Sequence, residues 1–223
     1  MTAPKKAMVL AAGLGKRMRP ITDTMPKPLI PIAGRTLLDW GLDSLGRSGV
    51  EEAVVNIHYL GEQVVRHVAA RAKPRVMISD ESALLLDSAG GIVKALPDLG
   101  DNPFFVLNAD TFWIDKTSPN LDRLALAWDD RRMDILLMLA DTADATGHSG
   151  GTDFLLAADG RLARSRGAPE GLIYAGAAIV HPRVFAGARV EPHSFNLYFD
   201  RAIAAGRLFG MKMHGRWITV GTP

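Results

Sequence analysis

Residues 7–19 constrain the fold of this chain more than any other segment. Residues 7–12, with the sequence Ala-Met-Val-Leu-Ala-Ala, are apolar on both faces of an extended chain. That pattern is typical of a strand buried inside a parallel sheet. Gly13 and Gly15 follow at once, and Lys16, Arg17 and Arg19 come next. The segment therefore predicts a buried strand that ends in a glycine-rich, cationic turn.

The apolar pattern of the next 130 residues alternates between strand-like and helix-like spacing. The predicted strands are residues 7–12, 53–57, 76–79, 104–108 and 134–139, and the predicted helices are residues 36–48, 60–72, 89–96 and 121–131. This alternation predicts a doubly wound, mostly parallel α/β sheet of Rossmann-like type. In such sheets ligands bind at the carboxyl ends of the strands, so informative residues should follow the strands directly.

The pattern changes after residue 141, where short apolar runs at 154–157 and 173–180 are separated by turn signals. These runs predict antiparallel strands that add a small lid or edge to the sheet. A helix at 195–205 and a strand at 216–220 complete the prediction. Because no linker-like segment divides the chain, we predict a single domain over residues 1–223.

Composition and charge exclude several classes of protein. The chain carries 26 Lys and Arg against 24 Asp and Glu, so bulk charge does not favour a nucleic-acid or membrane partner. It has no cysteine, which excludes disulfides, thiolate metal sites and cysteine nucleophiles. No apolar stretch approaches the roughly 18 residues of a membrane span, and no signal-peptide pattern follows the N-terminus. We expect a cytoplasmic monomer or small homo-oligomer.

The glycine-rich loop is a candidate phosphate site. Glycines at positions 13 and 15 let backbone N–H groups approach a phosphate, and Lys16 and Arg17 can neutralise its oxygens. The loop is not a P-loop, because Gly-Lys-Ser/Thr is absent, and Met18 stands where a dinucleotide fingerprint needs its third glycine. The alternative is a tight turn with solvated charges.

Lys27 and Asp110 are two further charged residues whose neighbours in the sequence indicate a place in the site. Lys27 lies between Pro26 and Pro28, which restrict the backbone and favour a fixed position, although a proline-rich surface turn would look the same. Asp110 follows the apolar strand predicted at 104–108, so it should face the same crevice as the glycine loop. A carboxylate there suits Mg²⁺, which takes one or two carboxylates together with phosphate oxygens. The alternative is an Asx turn at the strand end.

The two segments at residues 10–20 and 26–34, taken together, resemble the signature of the sugar-1-phosphate nucleotidyltransferase family. They read Leu-Ala-Ala-Gly-x-Gly-x-Arg-Met-x-Pro and Pro-Lys-Pro-Leu-Ile-Pro-Ile-Ala-Gly. The resemblance implies that the loop wraps the nucleotide, that Arg17 holds the triphosphate at its reacting end, and that Lys27 bridges the phosphates of the two substrates. It also assigns Asp110 to the metal. The loop residues implied to contact the nucleotide are Ala11, Ala12, Gly13, Gly15, Lys16 and Arg17.

The resemblance extends to the base and sugar sites. Residues 80–92 resemble the element that lies under the nucleobase in N-acetylmuramate-1-phosphate uridylyltransferases and in relatives that act on mannose 1-phosphate, which implies nucleotide contacts for Glu81 and Gly90. The alternative for this segment is an ordinary helix N-terminus. The order of the later motifs implies sugar-phosphate contacts for Asp153, Tyr174 and Gly176, in addition to Lys27.

One position departs from the family pattern. Most members carry a second metal-binding aspartate in a Trp-x-Asp-x-Gly-Thr segment, whereas residues 217–222 here read Trp-Ile-Thr-Val-Gly-Thr, with Thr219 in its place. A hydroxyl is a weaker ligand than a carboxylate, so Asp110, phosphate oxygens and water would hold the ion.

The resemblance implies transfer of a nucleotidyl group from a nucleoside triphosphate to a sugar-1-phosphate, with release of pyrophosphate. The expected substrates are UTP and N-acetylmuramate 1-phosphate, in the recycling of a cell-wall sugar. Two alternatives remain open: a mannose-1-phosphate or heptose-1-phosphate guanylyltransferase and, because of Thr219, a non-catalytic nucleotide-binding module.

Overall fold

The strand predicted at the start of the chain lies inside a seven-stranded sheet in the computed structural model, which describes residues 3–222. In chain order the strands are β1 (Lys6–Leu10), β2 (Pro31–Ile32), β3 (Arg35–Thr36), β4 (Glu52–Ile57), β5 (Arg75–Asp80), β6 (Phe104–Asn108), β7 (Thr111–Asp115), β8 (Ile135–Ala140), β9 (Ala145–Thr146), β10 (Phe154–Leu156), β11 (Leu162–Arg164), β12 (Ile173–Val180), β13 (Leu208–Lys212) and β14 (Gly215–Thr219). The α-helices are α1 (Leu37–Arg47), α2 (Gly61–Val68), α3 (Asp87–Leu99), α4 (Asn120–Ala127) and α5 (Asn196–Ala204).

The order of the central sheet is β13-β8-β12-β6-β1-β4-β5. Strand β1 pairs in parallel with β4 and β6, β4 pairs in parallel with β5, and β8 pairs in parallel with β13. Strand β12 is antiparallel to both of its neighbours, β6 and β8. The prediction of a mostly parallel α/β sheet with small antiparallel additions is confirmed.

Helices cover both faces of the sheet, because successive side chains of a strand point to opposite faces. Ala7 and Val9 of β1 belong to a core cluster that also contains residues of α1, α2 and α4. Met8, between them, belongs to a second cluster that contains residues of α3 and α5. The apolar run at the start of the chain is therefore buried on both sides, and the doubly wound arrangement follows from it.

The interpretation of residues 173–180 as part of a lid or edge was wrong. These residues form β12, which is antiparallel as predicted but lies inside the central sheet between β6 and β8. Its last four residues are completely buried. A strand that is apolar on both faces needs a covered position, and the sheet interior supplies it. The smaller additions are the β10–β11 hairpin, the β2–β3 pair and a three-stranded sheet in the order β7-β14-β9.

Helix ends follow local capping chemistry where the sequence supplies it. The Thr36 side chain accepts a hydrogen bond from the Asp39 N–H at 3.1 Å and begins α1. Gly49, with φ of +80°, follows the end of α1. Helices α2 and α4 end about one turn earlier than predicted, at Val68 and Ala127. Strands β7 and β13 were not predicted.

The ends of the predicted single domain, residues 1–2 and 223, lie outside the described residues, and the single-domain organisation stays a prediction. Within residues 3–222, no helix has the length and apolar character needed to cross a membrane.

Candidate active site

A cleft of about 650 Å³ opens at the carboxyl ends of β1, β4 and β6. This is the edge at which ligands bind in doubly wound sheets. The residues that line the cleft are Leu10, Ala11, Ala12, Gly13, Gly15, Lys16, Arg17, Met18, Lys27, Pro28, Asn56, Leu85, Asp87, Ser88, Asn108, Ala109, Asp110 and Gly221. The structure therefore brings the predicted glycine loop, the predicted lysine and the predicted metal carboxylate into one cleft.

The glycine loop turns sharply at Gly15, which has φ of +62° and precedes a short 3₁₀ helix, Lys16–Met18. A Cβ atom at residue 15 would lie 2.9 Å from Cγ2 of Thr22 and 3.1 Å from Cβ of Lys27. The Thr22 hydroxyl also donates to the Gly15 carbonyl at 2.9 Å. Glycine at this position thus allows both the left-handed turn and the close approach of the segment that carries Lys27.

Lys27 begins a short 3₁₀ helix, Lys27–Leu29, and is only 9% exposed. Its ammonium donates to Oδ2 of Asp110 at 2.7 Å. The Asp110 side chain is 39% exposed, so this carboxylate still faces solvent. The cation predicted to contact phosphates and the carboxylate predicted to hold the metal therefore form an ion pair.

The C-terminal segment forms part of the cleft beside Arg17. A Cβ atom at Gly221 would lie 3.7 Å from Nη1 of Arg17, so the guanidinium packs against the backbone there. The Val220 N–H donates to the Asp110 carbonyl at 3.1 Å. Thr219, the residue at the position of the family's second aspartate, pairs with Thr111 across β14 and β7. Thr219 therefore directly precedes the residue that is bonded to Asp110, although Thr219 itself is not among the residues that line the cleft.

A small hydrophobic cluster anchors the segments that carry these charges. Met18, Ile30 and Phe112 belong to it. Met18 follows Arg17, Ile30 lies three residues after Lys27, and Phe112 lies two residues after Asp110. Packing of these apolar side chains fixes the backbones from which the three charged groups extend.

The segment predicted to contact the base contributes different residues from those expected. Glu81 and Gly90 lie behind the cleft wall: Glu81 is 1% exposed, and a side chain at Gly90 would collide with the Glu191 carbonyl. Asp87 and Ser88, at the start of α3, line the cleft instead. Asp87 has φ of +59°, a left-handed conformation that is uncommon for residues other than glycine.

Of the residues predicted for the sugar phosphate, Lys27 lines the cleft, whereas Asp153, Tyr174 and Gly176 do not. Gly176, with φ of +75°, packs so closely on Thr111 that a side chain would collide with its hydroxyl and would also crowd Asn108. The Asp153 carboxylate accepts a hydrogen bond from the Tyr174 N–H at 2.8 Å. The Tyr174 hydroxyl is buried without a hydrogen-bond partner among the described residues, and burial raises the pKa of this phenol.

Sequence reasoning missed two amides at the ends of strands, Asn56 in β4 and Asn108 in β6. Both line the cleft. The signal that could have found them is their place in the sequence, since each is a polar residue at or next to the carboxyl end of a mainly apolar strand.

The donor set suits a hard divalent cation that is held mainly by the phosphate oxygens of a bound ligand. Among residues 3–222 no group of three His, Cys, Asp or Glu side chains could hold a metal ion by itself. Asp110 nevertheless offers a partly exposed carboxylate in a cleft lined by cations. Mg²⁺ is commonly bound in this way, through one or two carboxylates together with substrate phosphates. The residues present therefore fit the ion.

Comparison with known proteins identifies the family to which the chain is similar. A sequence profile of the family described as nucleotidyl transferase matches residues 6–148. The chain is 45% identical to the N-acetylmuramate alpha-1-phosphate uridylyltransferase of Caulobacter vibrioides, over 99% of this chain and 93% of the relative. It is 35% identical to the enzyme of the same name from Neisseria meningitidis, over 97% of this chain and 93% of the relative.

More distant relatives are described by other activities. A probable mannose-1-phosphate guanylyltransferase of Arabidopsis thaliana is 27% identical over 98% of this chain, but the match covers only 62% of that relative. Among solved structures, the inositol-1-phosphate CTP transferase from T. maritima superimposes with a TM-score of 0.78 at 20% identity, covering 99% of this chain and 91% of that one. This last similarity concerns the fold alone.

Proposed function

The chain belongs to the nucleotidyl transferase family, and we propose that it transfers a uridylyl group from UTP to N-acetylmuramate 1-phosphate and releases pyrophosphate. The observation that carries the proposal is the meeting of Arg17, Lys27 and Asp110 in one cleft at the carboxyl ends of the strands. The choice of substrates is supported by the two uridylyltransferases at 45% and 35% identity, which this chain matches over nearly its whole length.

In the proposed reaction a phosphate oxygen of the sugar-1-phosphate attacks the α-phosphorus of UTP. A new oxygen–phosphorus bond forms, and the bond from the α-phosphorus to the bridging oxygen breaks as pyrophosphate leaves. The step needs no protein nucleophile, so the protein contributes position and charge. The glycine loop can supply backbone N–H donors to phosphate oxygens from residues 12–15, whereas the Ala11 N–H is bonded to Asn56.

The charged residues have separate parts in this scheme. Arg17 stabilises the departing pyrophosphate with its forked donors, and Lys16 adds charge at the same rim. Lys27, held on its short helix, exchanges its partner Asp110 for phosphate oxygens of both substrates and so aligns them. Asp110, released from Lys27, would hold Mg²⁺, which when bound neutralises charge on the phosphates and polarises them.

The finer parts of the proposal follow from the same assignment. The sugar is a constituent of the cell wall, so the reaction belongs to the recycling of a wall sugar. The cytoplasmic location and the monomeric or small homo-oligomeric state stay predictions. We assign the sugar side of the cleft to the region beside Gly176, because Gly176 packs on the cleft-lining Asn108.

A substrate panel tests the proposal. Purified protein with Mg²⁺ is offered UTP, GTP, CTP, ATP and dTTP against N-acetylmuramate, mannose, heptose and glucose 1-phosphates, and pyrophosphate release is measured. We expect the highest kcat/KM for UTP with N-acetylmuramate 1-phosphate. A preference for GTP with mannose or heptose 1-phosphate would favour the guanylyltransferase alternative. Nucleotide binding without turnover on any pair would favour a non-catalytic binding module.

A further inference from the structure

Glu81 is a buried carboxylate that the proposed mechanism does not use. It directly follows β5, is 1% exposed, and forms no ion pair with any cation among residues 3–222. Its two oxygens instead accept hydrogen bonds from two different parts of the chain. Oε1 accepts from the side-chain amide of Asn56 at 2.7 Å, and Oε2 accepts from the Leu86 N–H at 2.9 Å. A carboxylate only accepts hydrogen bonds, so both donors are matched.

Asn56 connects Glu81 to the glycine loop. We call the hydrogen-bonded chain from the Ala11 N–H through Asn56 and Glu81 to the Leu86 N–H the relay. Oδ1 of Asn56 accepts a hydrogen bond from the Ala11 N–H at 2.7 Å, while its Nδ2 donates to Glu81. The two ends of an amide differ, because one accepts and the other donates. By taking the donor end, Glu81 fixes the Asn56 amide in the orientation that presents oxygen to Ala11. Asn56 is 2% exposed, so water does not replace either bond.

The two N–H groups bound at the ends of this relay belong to two separate segments that border the cleft. Ala11 begins the glycine loop and lines the cleft, whereas Leu86 directly precedes Asp87 and Ser88, which also line it. The relay also depends on a close backbone approach. A Cβ atom at Gly91 would lie 2.7 Å from Oε1 of Glu81 and 2.8 Å from Nδ2 of Asn56, so only glycine leaves room for it in α3.

We infer that Glu81 is a positioning residue that holds the glycine loop and the start of α3 together through Asn56 and the Leu86 N–H, and so sets nucleotide affinity without touching the nucleotide. The inference rests on the proposed function only in requiring that the cleft binds a nucleotide. It replaces the direct nucleotide contact that the sequence predicted for Glu81. Loss of the relay should weaken binding of the triphosphate and leave the KM of the sugar phosphate unchanged.

A polarity swap tests the relay. In Glu81→Gln one acceptor becomes a donor, which must face either the Asn56 amide or the Leu86 N–H. In Asn56→Asp two carboxylates face each other. In the double variant the directions reverse: the glutamine amide donates to the new aspartate, whose other oxygen still accepts from the Ala11 N–H. The glutamine oxygen accepts from Leu86, and the pair keeps its single negative charge.

The first measurement is binding of UTP without sugar phosphate, by titration calorimetry. We expect each single variant to bind UTP about 10-fold to 100-fold more weakly, which corresponds to one or two matched buried hydrogen bonds. The double variant should recover affinity to within about threefold of the original protein. Glu62→Gln, a matched change at an exposed glutamate of α2, should leave UTP binding unchanged. Singles with unaltered affinity, or a double variant no better than the singles, would overturn the inference.

A second measurement needs no ligand. Amide hydrogen exchange at Ala11 and Leu86 should be faster in Glu81→Gln and slow again in the double variant, because these two N–H groups end the relay. Unchanged exchange in the single variant would also refute the relay. The outcomes of these two measurements can be distinguished from those of the substrate panel. Absence of turnover with any sugar phosphate would refute the proposed function, while rescue of Ala11 and Leu86 exchange by the double variant would still support the relay.

Discussion

Replacing Lys27 by methionine removes one positive charge from the cleft and keeps most of the buried side-chain stem. Lys27 is 9% exposed, and its Cβ lies within 3.1 Å of the position that a Cβ of residue 15 would take. Methionine is unbranched and fills irregular space well, so it should preserve this packing. The substitution therefore tests the ammonium group and not the volume of the side chain.

The size of the effect follows from the burial of that charge. Two unit charges about 4 Å apart interact by about 4 kcal/mol at an effective dielectric constant of about 20. Only the part of this interaction energy that is gained on going from the bound substrates to the transition state lowers the barrier. We expect Lys27→Met to lose about 2 to 4 kcal/mol of transition-state stabilisation, which is about 30-fold to 1,000-fold in kcat/KM.

The same variant should hardly change stability and should alter the metal affinity of the free protein. Asp110 is 39% exposed, so without Lys27 it stays hydrated, and the lost ion pair should cost about 0 to 1 kcal/mol of unfolding free energy. Its Oδ2 is no longer engaged by an ammonium group. We therefore expect Lys27→Met to bind Mg²⁺ more tightly than the original protein when no nucleotide is present.

The assay combines three readouts: pyrophosphate release with UTP and N-acetylmuramate 1-phosphate, thermal unfolding, and Mg²⁺ titration of the free protein. Lys5→Met is the matched control, because Lys5 pairs with Glu51 at the opposite end of the sheet. It should keep kcat/KM within about twofold, as surface substitutions usually do. Near-normal kcat/KM in a folded Lys27→Met protein would refute the role of Lys27, and unaltered Mg²⁺ affinity would refute competition for Asp110.

Three further substitutions test the metal and the loop. Asp110→Asn should abolish pyrophosphate release at ordinary Mg²⁺ concentrations, because it removes the carboxylate assigned to the ion; retained turnover would show that the ion binds elsewhere. Thr219→Asp should lower the Mg²⁺ concentration for half-maximal rate by adding a second carboxylate; an unchanged or higher requirement would mean that residue 219 does not face the ion. Gly15→Ala should lower the unfolding free energy measured by urea denaturation by about 1 to 3 kcal/mol. The reason is that residue 15 has a left-handed conformation and its Cβ would lie 2.9 Å from Thr22. Unaltered stability would contradict the strain expected at this turn.

Much of the fold could be predicted because its information is local. The apolar runs at 104–108 and 134–139 and the helical spacing at 36–48 correspond to β6, β8 and α1 within one or two residues. Strand β12 was found, but its place in the sheet was not, since strand order depends on which apolar faces remain uncovered after the other elements pack. Strand β7 escaped notice because it begins only three residues after the end of β6.

Some residues of the candidate site could likewise be identified from local sequence, whereas the place of others depends on the tertiary structure. Gly15 and Lys27 were identifiable because glycine and proline restrict or release the backbone at their own positions, whatever the rest of the chain does. The structure brings both into the cleft as expected. It also puts Glu81 behind the wall and Asn56 on it, a reversal that depends on side-chain direction across two neighbouring strands and was not visible in either segment alone.

By itself, the sequence determined the α/β class, the cationic glycine turn and the proline-mounted lysine, because backbone conformation and burial pattern are properties of contiguous residues. Only the tertiary structure decided which groups meet. Lys27 and Asp110 pair across 83 positions, and Ala11 and Asn56 across 45. Such pairs form because the parallel sheet brings the ends of β1, β4 and β6 to one edge. Their partners are then chosen by distance and hydrogen-bond polarity in space, which no order of residues along the chain records.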